Sequence, residues 1–451
     1  MRPYKNKPLV LFYGSTPRAF CTTLIGHLFE ISQAYSVVLL SEELDSKMLE
    51  LLKDKKLFPK LDKIIRVHQH TGSRTNLISK NRYLCHLAKK VIRNYQPDIV
   101  IASSDWHSLF EMYLMRFAKK INALRITFQD TVTYEMTKID KWVDLINLNC
   151  STPAYLPIWI RFSFVKFRKY FGHILYYWIL PILNREFPFY GKESYILHKG
   201  HSGSRDSNYH VVLTKRDYGL YRKSGVSPDK LYILPHPLTR QARLIFAKII
   251  SSENKKRCKK SRKVAVVMLP AEKIGFSRRD YSLIKKYKRI KVQTEVFEIL
   301  IKILKSWKIV VKPHPLIKNY LDEKQRIESI SSRIKVIDPS ESANKYIDLG
   351  DIIIELPRAA STTLFSASLQ YPRKAILALD LHNEFLGDFY KDFKGVEYID
   401  NVEDLVTTLE KIRDNRYIKK PYDADRPDLN CFSGTVELLE YFIRKKRHSY
   451  T

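Results

Sequence analysis

The sequence predicts an α/β protein of two doubly wound domains, each a parallel sheet with helices on both faces. Three observations predict it. The chain has 451 residues, more than one hydrophobic core ordinarily serves. Its strand-like runs are short and continuously apolar, as in strands buried on both faces, and helical patterns alternate with them. The alternation breaks off at a basic stretch, residues 241–262, and then starts again.

The elements follow in order. "PLVLFYGSTPRAF" reads as a strand, a Gly/Ser/Thr/Pro turn and a helix running to about Gln33. "YSVVLLS" is a second strand. "PDIVIASSDWHSLFEMYLMRFAKKINA" is a third strand, a Ser-Ser-Asp turn and an amphipathic helix, and "LRITFQDTVTYE" is a fourth strand with its loop. "YHVVLTKRDYGLYRKSGVSPDKLYILPHPL" gives strand, helix, turn and strand. After the break, "VAVVML", "KIVVKP", "IKVID", "DIIIEL" and "KAILAL" are strands, with helices at "TEVFEILIKILKSW" and "STTLFSASLQY". The expected organisation is a first domain over 1–240 with an aromatic and basic insertion at about 152–190, and a basic linker over 241–262. A second domain covers 263–430 and a C-terminal helix 431–451.

The formal net charge is +32, and its distribution narrows its meaning. Gln241–Lys263 carries nine Lys/Arg and one acid, and Lys273–Lys291 eight and one. Thr152–Arg185 carries five and no acid. Concentrated positive charge fits a polyanion, an anionic lipid surface or a phosphorylated substrate, or else a solvated basic surface. The five cysteines are scattered and form no Cys-x-x-Cys, which argues for a reducing compartment and against a cysteine zinc site. The N-terminal apolar run spans about six residues, too short for a secretory signal. No metal cluster is evident, because His68-Gln69-His70 has the wrong spacing for two ligands on one helical face.

Two strands end in Pro-His-Pro: "YILPHPLT" around His236 and "IVVKPHPLI" around His314. Proline fixes φ and stops a strand sharply, which leaves each histidine at a carboxyl end, where doubly wound sheets bind ligands. His236, last before the linker, reads as a rigid hinge turn or a residue facing a cleft between the domains.

"VVKPHPL", followed downstream by "DIIIELPRAASTTLFSA", resembles the second domain of bacterial surface-polysaccharide glycosyltransferases of the GT-B fold, in which two Rossmann-like domains face a cleft. These include the sialyltransferase and polysialyltransferase families, the capsule Kdo transferases, and the CDP-glycerol glycerophosphotransferases. The resemblance implies that His314-Pro315 and Ser361-Thr362-Thr363 hold the donor nucleotide's phosphate. The physical reading agrees. Ser361 stands at an N-cap position, and a helix start offers free N–H groups and partial positive charge; it reads equally as a plain cap. His314 can donate to a phosphate or protonate the departing nucleotide. Lys312 and Arg358 add charge, and "MLPAEKIGFSRRD" puts Lys273, Gly275, Arg278 and Arg279 after the second domain's first strand, facing the donor phosphates. Where relatives carry a carboxylate after the hydroxyl pair this chain has Ser366, and Glu355 is the candidate substitute. For the general base, the families' acidic motif in the first domain maps onto "FQDTVTYE", which makes Asp130 the base, with Asp105 and Glu135 as rivals. Gly14, Ser15, Thr16 and Arg18 form a candidate acceptor edge. The resemblance implies metal-independent catalysis with the nucleotide-sugar as substrate rather than cofactor.

Within "YLPIWIRFSFVKFRKYFGHILYYWILPIL", Ile160, Phe164, Phe167, Phe171, Ile174, Leu175, Trp178 and Ile182 form one stripe at helical spacing, beside Arg161, Lys166, Arg168, Lys169 and His173. The cations break any membrane-crossing span. The pattern describes either a helix at an anionic membrane surface over 155–180 or a core-packed helix with a wet face. The expected protein is a glycosyltransferase at the cytoplasmic face of the cell membrane, using a nucleotide-activated donor, CMP-linked by preference. Its acceptor is a surface polysaccharide or lipid-linked glycan. A glycerophosphotransferase and a nucleotide-sugar 2-epimerase are the enzyme alternatives. A nucleic-acid-binding protein is the non-enzyme alternative, disfavoured because the chain lacks RRM, KH, helix-turn-helix and zinc motifs.

Overall fold

The structure is a computed structural model. It describes residues 8–14, 23–41, 44, 46–67, 77–104, 109–129, 206–223, 225–237, 263–269, 283–314, 317, 319–341, 343–356, 362–371, 373–381, 395–419 and 432–448. The chain divides into two compact units, each organised on its own parallel sheet.

The first sheet holds β1 (Leu9–Gly14), β2 (Ser36–Ser41), β3 (Leu61–Arg66), β4 (Ile99–Ala102), β5 (Leu124–Phe128), β6 (Tyr209–Val212) and β7 (Leu231–Ile233). Its order is β3-β2-β1-β4-β5-β6-β7, and every pairing is parallel. Helices α1 (Ile25–Ala34), α2 (Ser46–Lys53), α3 (Leu77–Tyr95), α4 (Leu109–Lys120) and α5 (Lys215–Lys223) belong to this unit. The central strands are buried on both faces, as their uninterrupted apolar runs require. On one face Leu11, Tyr13, Val100 and Ala102 pack with Phe110, Tyr113 and Leu114 of α4. Burying each such large side chain contributes about 1.5–3 kcal/mol.

The second sheet holds β8 (Val264–Met268), β9 (Lys308–Lys312), β10 (Ile334–Val336), β11 (Ile352–Glu355), β12 (Ala375–Leu379) and β13 (Glu397–Ile399). Its order is β10-β9-β8-β11-β12-β13, again wholly parallel. Its helices are α6 (Leu283–Ile303), α7 (Tyr320–Glu328), α8 (Ala343–Leu349), α9 (Thr362–Gln370) and α10 (Val402–Arg413). Val296, Phe297 and Leu300 of α6 bury against Ala265, Val267, Ile309 and Val311. The two sheets therefore repeat one winding: from the first strand two more run outward one way, and the chain then returns to the other side of the first strand and runs in the opposite direction.

The repetition extends to single atoms. Asp98, just before β4, accepts the Leu9 N–H at the start of β1, 2.8 Å from its Oδ2, and its own N–H reaches Leu9 O at 3.0 Å. Asp351, just before β11, does the same for Val264 at the start of β8, with distances of 2.7 and 2.8 Å. "PDIVI" and "GDIIIE" are thus one device used twice: an aspartate that locks the first strand to the fourth. Gly350 is required beside Asp351, because a Cβ there would lie 2.8 Å from Ile353 Cδ1 and from Val266 Cγ2.

Sequence reading missed two strands. β3 carries exposed Asp62 and Lys63 and ends the first sheet, so it needs no continuous apolar run. β13 is three residues long, at the far edge of the second sheet. The insertion at about 152–190 and the linker 241–262 lie outside the described residues.

The last helix, α11 (Thr435–His448), belongs to the first unit. Glu30 of α1 caps it, accepting from Thr435 N (2.8 Å) and Thr435 Oγ1 (2.5 Å), and buried His27 Nδ1 lies 2.9 Å from the same hydroxyl. A carboxylate at a helix N-terminus satisfies free N–H groups and complements the helix dipole. Phe442 stacks on Tyr209, centroids 4.1 Å apart, and Lys445 Nζ donates to Tyr232 Oη at 2.6 Å.

Candidate functional site

Doubly wound sheets bind ligands beyond the carboxyl ends of their strands, at the point where the strand order reverses. In the second unit that point lies between β8 and β11. The register places the candidate residues on it. Met268, the last residue of β8, pairs with Lys312 of β9 on one side and with Glu355 of β11 on the other. Glu355 in turn pairs with Ala378 of β12. Lys312 and Glu355 thus stand at one level of the sheet, two strands apart, with His314 two residues beyond Lys312.

The strand β9 ends because proline follows Lys312. The chain then turns: Ile317 N–H donates to His314 O at 3.0 Å, the i to i+3 bond of a β-turn. His314 is half-buried there. The side chain of Lys312 turns to backbone carbonyls. It is 3% exposed, and its ammonium donates to Pro313 O at 2.7 Å and to Pro339 O at 2.8 Å. Burial pushes it down to about 8, with Glu341 and Asp338 partly offsetting.

Pro339 belongs to the loop after β10, and that loop is itself tied. Asp338 Oδ1 accepts from Ser340 N and Oγ at 2.8 and 2.6 Å, and Glu341 accepts from Lys345 Nζ and Tyr346 Oη at 2.6 and 2.7 Å. These bonds hold both carboxyls below their ordinary range. Sequence reading missed this loop. Its signal was "DPSES", a cluster of turn residues after a strand.

Helix α9 begins at Thr362, seven residues after Glu355. Thr362 and Thr363 form its first turn; their side-chain positions, and Ser361 itself, lie outside the described residues. The far end of α9 is held by Lys419, whose Nζ donates to Ser368 O (3.1 Å) and Tyr371 O (3.0 Å). A cation on the last carbonyls complements the helix dipole. Burial alone pushes Lys419 down to about 8. A further missed acid, buried Asp380, follows β12 directly and accepts from Tyr398 Oη at 3.0 Å; "ALALD" has a strand-plus-acid form like that of "IIIEL".

Other expected site residues fall outside the described residues: Pro315, Lys273, Gly275, Arg278, Arg279 and Arg358 on the donor side, and Asp130, Asp105, Glu135, Ser15, Thr16 and Arg18 on the other. Gly14 ends β1. The strand leading to Asp130 is well anchored. Buried Gln129 receives Leu213 N–H on its side chain at 3.0 Å and gives its own N–H to Val211 O at 2.8 Å. A further acid stands at the switch point of the first sheet: Glu111 of α4, fully buried, accepts Ser103 Oγ at 2.6 Å and Ser104 N at 3.2 Å. His236 is 1% exposed, with Nε2 3.3 Å from Thr23 Oγ1. Among the described residues no group of three His, Cys, Asp or Glu comes together as for a metal ion, and no helix is long and apolar enough to cross a membrane.

No protein-family model matches the chain, and no curated protein matches it either. Solved structures do. UDP-GlcNAc 2-epimerase from Methanocaldococcus jannaschii aligns over 97% of this chain and 99% of its own, with a TM-score of 0.59 and 11% identity. The Neisseria meningitidis enzyme of the same name, bound to UDP-GlcNAc, aligns over 97% and 100%, with a TM-score of 0.56 and 11% identity. The S. aureus MnaA–UDP structure aligns over 98% and 97%, with a TM-score of 0.52 and 12% identity. The likeness spans both units and establishes the two-domain GT-B architecture.

Proposed function

We propose that the protein is an enzyme acting on a nucleotide-activated sugar, and that it transfers the sugar to a glycan acceptor. The observation that carries this is the carboxyl edge of the second sheet. Lys312–His314, Met268 and Glu355 stand on three neighbouring strands around the reversal of strand order, with the start of α9 following. A diphosphate there meets the free N–H groups of a helix start and the His314 imidazole. His314 would stabilise or protonate the leaving phosphate, and an acid of the first domain, Asp130, would take the proton of the attacking hydroxyl. The solved relatives widen the choice of donor, since two of them hold UDP-GlcNAc or UDP; the expected preference for CMP becomes one arm of the test. Thermal shift with CMP-, CDP-, UDP- and GDP-linked donors decides it. A ligand that binds the native state alone raises the melting temperature, and the absence of a shift with all four overturns the reading.

A second reading has its own support: the three solved structures above include two named as UDP-GlcNAc 2-epimerases. Incubation with UDP-GlcNAc and no acceptor separates the two. An epimerase converts the sugar alone; a transferase leaves it intact until an acceptor is added.

The acceptor side is proposed to lie at an anionic membrane surface on the cytoplasmic side. Support comes from the acid-free, aromatic and basic sequence of residues 155–180, which also lies outside the described residues. The purified chain should sediment with phosphatidylglycerol vesicles, and added salt should release it. Indifference to lipid charge removes this part.

A further inference from the structure

We infer that Lys312 is a positioning residue: it fixes the turn that carries His314 by binding the carbonyls of Pro313 and Pro339, and it does not touch the donor. The geometry is direct. The ammonium is 3% exposed and lies 2.7 Å from Pro313 O and 2.8 Å from Pro339 O. Pro313 O belongs to the peptide whose nitrogen is that of His314. A peptide unit is planar, so holding this oxygen fixes the His314 nitrogen and Cα in one plane. The second carbonyl ties that plane to the loop after β10, which Asp338, Ser340, Glu341, Lys345 and Tyr346 already brace. The turn is closed on its far side by Ile317 N–H to His314 O. A phosphate would compete with two carbonyls for the same ammonium, and moving it would take a donor from buried Pro313 O and half-buried Pro339 O.

The inference rests on His314 serving the donor phosphate, so its test has an arm that does not depend on that reading. Hydrogen exchange of the full-length chain reports Ile317 N–H directly, with no substrate present. In Lys312→Met, exchange at Ile317 should rise at least tenfold while amides of β8 and β11 stay protected. Lys312→Gln, which keeps two N–H donors and loses the charge, should restore most of the protection; this variant also carries the test if the Met variant fails to fold. In the activity arm, with whichever donor the thermal-shift screen identifies, Lys312→Met should lower kcat about tenfold and leave the nucleotide Kd within about threefold, and Lys312→Gln should recover turnover. Unchanged exchange in the Met variant overturns the inference. So does unchanged exchange joined to a large loss of nucleotide affinity, which would make Lys312 a phosphate ligand. If no nucleotide binds the wild type, the reading of His314 fails, while the exchange result still decides whether Lys312 holds the turn.

Discussion

The two Pro-His-Pro turns are the same tripeptide at the same kind of place, and the protein uses them differently. His236, after β7, is 1% exposed and bonded to Thr23 at the entrance of α1. His314, after β9, is half-buried on a turn closed by Ile317 and held from behind by Lys312. The first histidine is a packing group in the first unit. The second stands one strand from the reversal of its sheet's strand order, beside the register row of Lys312, Met268 and Glu355. A proline pair decides where a strand stops. What surrounds the histidine decides how deeply it is buried.

The most direct way to break this comparison is to truncate both histidines. His314→Ala should lower turnover with the cognate donor about 10²-fold, roughly 2.7 kcal/mol of barrier, with the melting temperature almost unchanged. Near-full activity in that variant would dissolve the distinction. His236→Ala should do the opposite. It removes a buried ring and its contact with the Thr23 hydroxyl, at a cost of about 1–3 kcal/mol of stability, while nucleotide affinity in the second unit stays the same. Chemical denaturation checks this, and a His236→Ala protein as stable as wild type would show that burial there is inconsequential.

The aspartate staples sharpen the comparison from the other side, because here duplication in sequence is duplication in structure. Asp98→Ala and Asp351→Ala each strip the carboxylate from a strand-opening N–H. Each should cost about 1–2 kcal/mol, and the two losses should add, since they fall in separate units. Strongly unequal or non-additive losses would mean that the two staples are alike in geometry only.

The smallest effect is a pH dependence. Lys312, Lys419 and Lys446 all sit at about 8, below the ordinary lysine range near 10.4. Burial is the main cause in each, and Arg125 adds to it for Lys446. Below about 8 both the folded and unfolded chains hold these protons, and the penalty on folding is complete. Between about 8 and 10 the unfolded chain binds more protons than the folded one, so stability rises with pH. Tyr35 and Tyr346, pushed up to about 12 mainly by burial, act the other way at higher pH. Melting scans at pH 7, 8, 9 and 10 should show the rise, and Lys419→Met should show less of it. An identical slope in the variant would remove Lys419 from the account.

Much of this was legible in the chain. Runs such as "VAVVML", and the "III" inside "DIIIEL", are continuously apolar because both of their faces are covered, and that gives parallel sheets and the winding. The edge strands β3 and β13 were not legible, because an edge strand tolerates charge and brevity. At the site, the ends of β9 and β11 could be read from proline and glutamate punctuation. The sequence offers Lys312 as a phosphate ligand because a lysine two residues before a histidine at a strand end looks like one. The partners seen in the structure, the carbonyls of Pro313 and Pro339, are backbone groups, and backbone groups leave no mark in a sequence.

By itself, then, the sequence determined the local facts: which runs form strands, where proline ends them, and that the pattern is repeated. These follow from side-chain polarity and backbone sterics acting over a few residues. Only the tertiary structure decided the facts that join distant segments. The pairing of Met268 with both Lys312 and Glu355 needs strands 44 and 87 residues away along the chain. The burial of His236 needs Thr23, 213 positions earlier. The seating of α11 on Glu30 and His27 joins residues more than 400 positions apart. Hydrogen bonds and desolvation depend on which atoms meet in space, and two identical tripeptides acquire different surroundings only once the chain has folded around them.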